Sequence, residues 1–335
     1  MHPLKKLYCR TFQTAFKLVI PVLPYRKPKI IHQAAVVPKL LSKKKIGSVL
    51  IVTDAAVHQL GLIEPLKNAL KENKINYVIY DKTVANPTIQ NVEEARKLYL
   101  NNCCQGLIGF GGGSAMDFAL IPPVALLDSS ITKTLPVSVA ATTGMDALTH
   151  AVEAYIGRST TPSTRKDALK ACELISANLT KACLDRENDK ARENMLKAAF
   201  LAGNAFSKSY VGYCHAVAHS LGGRYNIPHG LANAVILPYT LKAYDKTIYK
   251  KSKDIAIAMK LADKNTPAKE AHESLIQWIL DTNKTLGIPA KLSGIWEEDI
   301  PSLAKHADEE ANPLYPVPVL MNAKELEQFY YDVME

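Results

Sequence analysis

The amino-acid sequence predicts an α/β fold in which a short domain with a parallel sheet precedes an all-helical domain. Apolar runs of strand length alternate with helical segments in the first part of the chain, which is typical of parallel sheets. After about residue 138 the sequence changes to long segments rich in Ala, Leu and Lys with helical periodicity. The 335 residues are enough for two separate cores.

The strands and helices of the first domain can be assigned in order. From Ser48 a continuous apolar run, residues 49–52, ends in the turn-forming pair Thr53-Asp54, which suits a strand buried on both faces that ends at Asp54. A helical stretch to about residue 73 and a second strand at residues 77–80 follow. Pro87 favours a helix start, and that helix is predicted to reach about residue 101. A third strand at residues 106–110 leads directly into a glycine triplet.

The basic residues are concentrated at the start of the chain. Eleven Lys or Arg precede Asp54, the first acidic residue, and the remaining chain has 30 basic residues against 32 acidic ones. The net charge of +9 therefore does not indicate a nucleic-acid partner. We predict a basic, partly ordered arm at residues 1–30, a shortened dinucleotide-binding domain at 31–135 and a helical metal and substrate domain at 136–335.

The sequence gives no indication of export or of stable membrane insertion. The apolar stretch at residues 16–23 is interrupted by Lys17 and is too short to span a bilayer. Pro21 and Pro24 stand where a secretory signal needs small residues. The six cysteines show no CxxC spacing, so we expect reduced thiols in a cytoplasmic protein.

The first chemical signal is the strand-to-helix turn at Gly111-Gly112-Gly113-Ser114. Missing side chains let a phosphate approach the backbone, and N–H groups at a helix start can hold it, which predicts a Rossmann-like cofactor turn. A simple tight turn explains the same glycines. Asp54, at the end of the first strand, suits the ribose of an adenosine without a 2′-phosphate, but it equally suits a helix N-cap.

The second and third signals are acidic and imidazole side chains at helical spacing. Asp146 and His150 are four residues apart, as are His215 and His219, so each pair shares one helix face. Gly222 and Gly223 are expected to end the second helix, after which His229 begins a new turn. A solvated Asp/His pair is the alternative for the first signal. The apolar surroundings of the two motifs together favour a metal site.

One carboxylate and several imidazoles suit iron(II) or zinc(II). Phosphate-binding glycines together with a metal site indicate hydride transfer between an alcohol carbon and a nicotinamide.

Seven stretches of the sequence resemble the iron-containing, group III alcohol dehydrogenases, from about residue 25 to the C-terminus. They are VLIVTD, NPTIQNVEEA, GFGGGSAMD, GMDALTHAVEAY, CHAVAHSLGG, YNIPHGLANAVILPY and ANPLYPVPVLM. The resemblance implies a dehydroquinate synthase-like architecture, NAD and Fe²⁺ (alternatively Zn²⁺) as cofactors, a small alcohol or aldehyde as substrate, and a homodimer as one candidate assembly.

The resemblance also assigns roles to individual residues. It implies Asp146, His150, His215 and His229 as the metal ligands and His219 as a proton relay near the nicotinamide. The remaining positions that it implies form the cofactor site and are Asp54, Gly112, Gly113, Ser114 and Asp117.

The sequence departs from the family directly after Asp117. Members continue through a helix, further strands and a Thr-rich turn, whereas this chain reaches Pro122 and Pro123 within about two helical turns. We therefore predict an internal deletion of several tens of residues in the cofactor domain. Metal binding and NAD binding are expected to be separable.

Three functional hypotheses follow. The leading one is a metal-dependent, NAD-linked oxidoreductase that interconverts a small alcohol and its aldehyde or ketone. The second is a catalytically inactive, metal-binding remnant of such an enzyme. The third is a related reaction on polyols or cyclising sugar acids, for which the sequence holds no motif.

Overall fold

A computed structural model describes residues 1–20, 28–84, 88–111 and 123–335 of the chain. The chain forms two compact units. One contains residues 25–131, and the other combines residues 1–24 with residues 132–335.

The described strands and helices are numbered in chain order. Those of the first 131 residues are α1 (Pro3–Val19), β1 (Lys29–Ile31), α2 (Val37–Lys43), β2 (Ser48–Val52), α3 (Ala55–Gln59), α4 (Glu64–Glu72), β3 (Asn76–Tyr80), α5 (Ile89–Asn101), β4 (Gly106–Gly109) and β5 (Val124–Leu126). Those that follow are α6 (Val137–Ile156), α7 (Pro162–Leu184), α8 (Asp189–Ser209), α9 (Tyr213–Tyr225), α10 (His229–Tyr244), α11 (Tyr249–Ala258), α12 (Ala268–Thr285), α13 (Ile300–Ala311) and α14 (Ala323–Val333).

The unit of residues 25–131 contains the predicted parallel sheet, in the strand order β3-β2-β4. Along the central strand, Val49 and Ile51 belong to one hydrophobic cluster, and Leu50 and Val52 to another. Successive side chains point to opposite faces of a strand, so both faces of β2 are buried, as the continuous apolar run predicts. The predicted α/β fold class is confirmed.

A second, two-stranded parallel sheet pairs β1 with β5 and was not predicted. Lys29 lies opposite Val124, and Ile31 lies opposite Leu126. Strands of three residues are too short to show an alternating pattern in the sequence, and their partners lie more than ninety positions apart.

The other unit is helical and contains one large hydrophobic core. Its central helices are fully buried at residues such as Met145, Leu148 and Leu237. Residues 3–19, which the sequence analysis assigns to a basic arm, form helix α1 of this unit, and Cys9 is fully buried in its core. In the part of the chain that the structure describes, no helix is both long and apolar enough to cross a bilayer.

Helix α9 extends further than the sequence predicts. It continues through Gly222 and Gly223 and ends at Tyr225, where Asn226 adopts a left-handed conformation with φ of 56°. Asparagine tolerates this conformation and serves as a helix terminator, whereas glycine within a helix carries only a modest cost. All six cysteines are free, as expected.

Candidate metal centre

Three helices of the helical unit bring the four predicted metal ligands together. Asp146 and His150 lie on α6, His215 lies on α9, and His229 is the first residue of α10. Each residue offers one ligand atom, and these atoms all lie within 4.8 Å of one another. The i, i+4 spacing of the first pair places both side chains on one face of α6, as predicted.

The atoms of the cluster converge on one small volume. Asp146 Oδ1 lies 3.4 Å from His229 Nε2 and 3.8 Å from His215 Nε2. His150 Nε2 lies 3.7 Å from Asp146 Oδ2 and 3.4 Å from His215 Nε2. Ligands bound to one ion at about 2.1 Å are about 3.4 Å apart in tetrahedral geometry. The separations and the donor types therefore fit a divalent metal ion.

The electrostatics of the cluster also suit a metal. Burial, followed by the neighbouring imidazoles, lowers the pKa of both His150 and His215 to about 3, so both rings are neutral at pH 7. Burial opposes ionisation of Asp146, but the three imidazoles and the amide of Asn233 together lower its pKa. Metal binding requires neutral imidazoles and an ionised carboxylate, which is the state that these environments favour.

A buried carboxylate that the sequence analysis did not single out orients one of the ligands. His215 Nδ1 donates to Glu153 Oε2 over 2.6 Å, which leaves the lone pair of Nε2 directed at the cluster. Glu153 also accepts the backbone N–H groups of Gly212, at 2.8 Å, and Cys214, at 2.9 Å. A Cβ at position 212 would lie 2.6 Å from Glu153 Oε1, so only glycine allows this approach.

Burial raises the pKa of Glu153 to about 7, although the backbone N–H donors oppose the rise. The sequence contains one indication of this residue. Glu153 follows His150 by three positions on α6, so the two side chains lie near each other on the helix surface. A glutamate in a helix is ordinarily a solvated charge, and nothing in the sequence marks this one as buried.

A second supporting residue, Asn233, lies one turn after His229 on α10. Its Nδ2 donates to Asp146 Oδ1 over 2.7 Å and lies 3.0 Å from His229 Nε2. The asparagine is fully buried. It holds the carboxylate of the cluster in place and gives no sequence signal of its own.

His219, the predicted relay residue, lies beside the cluster but outside it. Its ring stacks on that of His229 with a centroid distance of 5.1 Å. Its Nδ1 lies 2.6 Å from Glu310 Oε1, which also accepts the hydroxyl of Tyr315 over 2.6 Å. Burial opposes charge on both members of the His219–Glu310 pair, yet their contact raises the pKa of His219 and lowers that of Glu310.

A cavity of about 400 Å³ adjoins the cluster. Its size lies within the range of small-molecule sites, roughly 300–1,000 Å³. Four histidines contribute to its lining, and apolar and aromatic side chains form most of the rest. The lining residues are His150, Phe206, Ser207, Tyr210, Val211, His215, His219, His229, Leu314 and Tyr315.

The predicted cofactor residues belong to the other unit. Asp54 follows β2 and caps α3, where its Oδ1 accepts the N–H of Val57 over 2.9 Å. The N-cap alternative stated for this residue is therefore present. The predicted pyrophosphate turn, Gly112, Gly113, Ser114 and Asp117, lies outside the described residues.

Replacing Glu153 with glutamine is expected to weaken metal binding about tenfold, the lower end of the roughly 10–100-fold effect of such supporting groups. A glutamine amide would point an N–H group at a backbone or imidazole donor. Affinity is measured by competition with a chelator. Glu173→Gln, at a half-buried position of α7, is the matched control. An unchanged affinity in a folded variant would show that Glu153 does not orient His215.

Taken together, the fold and the cluster define a protein with a parallel-sheet unit and a helical unit whose carboxylate and imidazole groups fit a metal ion. Two family models match almost the entire chain. The model for iron-containing alcohol dehydrogenase matches residues 28–147, and that for the C-terminal part of the Fe-containing alcohol dehydrogenase family matches residues 140–334.

Individual relatives agree with the family models. The NAD-dependent methanol dehydrogenase of Bacillus methanolicus is 30% identical over 337 aligned positions, which cover 80% of this chain and 88% of that enzyme. The NADPH-dependent butanol dehydrogenase of Clostridium saccharobutylicum is 42% identical over 186 positions, which cover 55% of this chain and 47% of that enzyme. A crystal structure of a 1,3-propanediol oxidoreductase superposes with a TM-score of 0.86 and 28% identity, covering 92% of this chain and 98% of its own.

The chain belongs to the iron-containing alcohol dehydrogenase family, and it is a metal-dependent oxidoreductase of alcohols and aldehydes. The alignment with the methanol dehydrogenase has more positions than the number of residues of this chain that it includes. The methanol dehydrogenase therefore has residues that have no counterpart in this chain. This agrees with an internal deletion. Its predicted place after Asp117 lies outside the described residues.

Proposed function

We propose that this enzyme interconverts a small primary or secondary alcohol and its aldehyde or ketone, with Fe²⁺ as the metal and NAD as the hydride carrier. The observation that carries the proposal is the convergence of one carboxylate and three imidazoles, the imidazoles lining a mostly apolar cavity. The comparisons give no support to the inactive remnant.

Asp146, His150, His215 and His229 are the proposed ligands. A divalent metal bound by these four residues would act as a Lewis acid and stabilise negative charge that develops on the substrate oxygen. One carboxylate and three nitrogen donors suit Zn²⁺ as well as Fe²⁺, so the choice of iron rests on the family. The proposed metal and substrate domain is thus the helical part of the chain at residues 136–335.

The cavity supports a small, largely apolar substrate. Phe206, Val211 and Leu314 offer the substrate no hydrogen bonds. A polar group of the substrate has its partners among the histidines and the hydroxyl-bearing residues of the lining. His219 is one of these histidines and is the proposed proton relay. Because Glu310 and Tyr315 continue the hydrogen-bond chain from its Nδ1, the imidazole is fixed in orientation.

The proposed preference for NAD rests on Asp54 and on the family. Asp54 stands at the carboxyl end of β2, where an acidic residue in a parallel sheet accepts hydrogen bonds from a ribose and repels a 2′-phosphate. The helix-capping bond of Asp54, from the N–H of Val57, uses Oδ1. One relative is NAD-dependent and another is NADPH-dependent by name, so both cofactors belong in the test.

NAD is expected to bind with a dissociation constant in the roughly micromolar-to-millimolar range typical of enzyme ligands. The experiment is isothermal titration of NAD, and separately of NADP, into protein loaded with Fe²⁺ under anaerobic conditions. An Asp54→Asn variant tests the role of the carboxylate charge, since asparagine can still cap the helix but carries no charge. The variant is expected to lose its preference for NAD over NADP.

The outcomes separate the parts of the proposal. Absence of heat with either cofactor, in folded and metal-loaded protein, would contradict nicotinamide linkage. Tighter binding of NADP would leave the dehydrogenase reaction in place and overturn the choice of NAD. Turnover of a short alcohol that needs both Fe²⁺ and NAD supports the proposal as stated.

A further inference from the structure

Helix α1 is docked on the helical unit through one of its faces. Cys9 is fully buried, Gln13 is 5% exposed, and Lys5 forms a 2.7 Å ion pair with Asp308. Residues on the opposite face, such as Leu18, remain exposed. The helix is therefore amphipathic, and its buried face determines which part of the helical unit it contacts.

Besides the ion pair of Lys5, this face makes polar contacts with the main chain of one short segment, residues 314–318. Gln13 Nε2 donates to the carbonyl oxygen of Tyr315 over 2.7 Å. The guanidinium of Arg10 donates to the carbonyl oxygens of Val317, at 2.7 Å, and Pro318, at 2.8 Å. Arg10 also donates to Gln13 Oε1, which joins the two side chains into one donor group.

This segment needs such external donors. Prolines at positions 313, 316 and 318 provide no N–H group and prevent a regular helix or ladder. Buried carbonyl groups without a regular partner have to be satisfied by side chains. Arg10 and Gln13 supply such donors. They act beside main-chain N–H groups that donate to the carbonyl oxygens of Tyr315 and Pro316.

The same segment forms a wall of the cavity beside the metal cluster. Leu314 and Tyr315 line the cavity, and the hydroxyl of Tyr315 donates to Glu310, the partner of His219. A displacement of the Tyr315 main chain therefore changes both the shape of the cavity and the support of His219.

Helix α1 touches another part of the wall through Phe16. The ring of Phe16 packs edge-on against that of Tyr210 with a centroid distance of 5.3 Å. Tyr210 lines the cavity and has φ of 60°, a conformation that is unfavourable for a bulky residue and that surrounding contacts must hold. Phe16 supplies one of those contacts.

We propose that α1 is a positioning element that determines which alcohols fit the cavity, with Arg10, Gln13 and Phe16 as its specificity-determining residues. None of the three lines the cavity itself. They act through the main chain of residues 315–318 and through Tyr210. This inference rests on the proposed function, because it takes the cavity as the site of the alcohol chain.

The test compares wild type with Phe16→Ala and Gln13→Leu as Fe²⁺-loaded full-length protein. The readouts are kcat and KM for 1-propanol and 1-hexanol, metal content and Tm. Phe16→Ala frees space behind Tyr210. Gln13→Leu removes the side-chain donor to the Tyr315 carbonyl and leaves, among the described residues, only the N–H of Val317 bonded to it. Each is expected to raise the ratio of kcat/KM for hexanol over propanol about tenfold, mainly through KM, since one methylene in an apolar pocket changes kcat/KM roughly 10–200-fold.

Leu18→Ala is the matched control, since Leu18 lies on α1 and is 75% exposed. It is expected to leave the ratio unchanged. An equal loss of kcat/KM for both alcohols together with a lower Tm, or failure of both variants to fold, would assign α1 a purely structural role and overturn the proposal. If wild type oxidises the alcohols and both variants keep its ratio of kcat/KM, the role of α1 is overturned while the proposed function stands. If wild type oxidises neither alcohol, the role of α1 and the proposed function are both overturned.

Discussion

Replacing Asp146 with alanine is expected to abolish stoichiometric metal binding and to lower alcohol oxidation by more than about 100-fold, since even groups that only support ligands contribute roughly 10–100-fold. Asp146 is the only carboxylate of the four-residue cluster, and its oxygens face all three imidazoles. Without it, three neutral rings would have to bind a dication with no compensating charge.

Metal content and thermal unfolding check this prediction. A ligand that binds only the folded state raises its stability, so Fe²⁺ is expected to raise the Tm of wild type and not that of Asp146→Ala. Asp281→Ala, at an exposed position of α12, is the matched control and should bind metal as wild type does. Stoichiometric iron in Asp146→Ala would mean that the cluster is not the metal site.

Replacing His219 with glutamine is expected to lower kcat about 100-fold with unchanged metal content. A positioned group that transfers protons contributes typically 10²–10⁴-fold. His219 lines the cavity and is held by Glu310, but it lies outside the four-residue cluster. The change should therefore affect catalysis and leave metal affinity as it is.

Two further variants sharpen the test of His219. Glu310→Gln retains the imidazole and removes the charge that orients it, so its kcat is expected to lie between those of His219→Gln and wild type. His306→Gln, an exposed histidine of α13, controls for the general effect of losing an imidazole. Loss of iron from His219→Gln would make this residue a ligand, and a wild-type kcat would place the proton relay elsewhere.

The features that the sequence could predict are those that depend on residues close together in the chain. The separation of Asp146 and His150 is one helical turn, so their shared face follows from helix geometry alone. The apolar run that became β2 is likewise local. For Asp54 the residue type allows two interpretations, a helix N-cap and a ribose contact, and the sequence does not choose between them.

The features that the sequence could not predict depend on distant contacts. Glu310 and Tyr315 lie about ninety residues beyond His219, and no spacing rule connects them. Helix α1 was assigned to an arm, because its many basic residues conceal the buried face of Cys9 and Gln13. Helix α9 ends later than predicted for a local reason. Gly222 and Gly223, a residue type that often terminates helices, lie inside this helix.

The position of Glu153 has a consequence for how the centre is assembled. One carboxylate accepts the first N–H groups around the start of α9 and also the Nδ1–H of His215. The ring is thus oriented by the same carboxylate that binds the start of the helix, so folding of α6 against α9 sets the direction of this ligand before an ion arrives. Little rotational freedom of this imidazole remains to be lost on binding, and this ligand is preorganised.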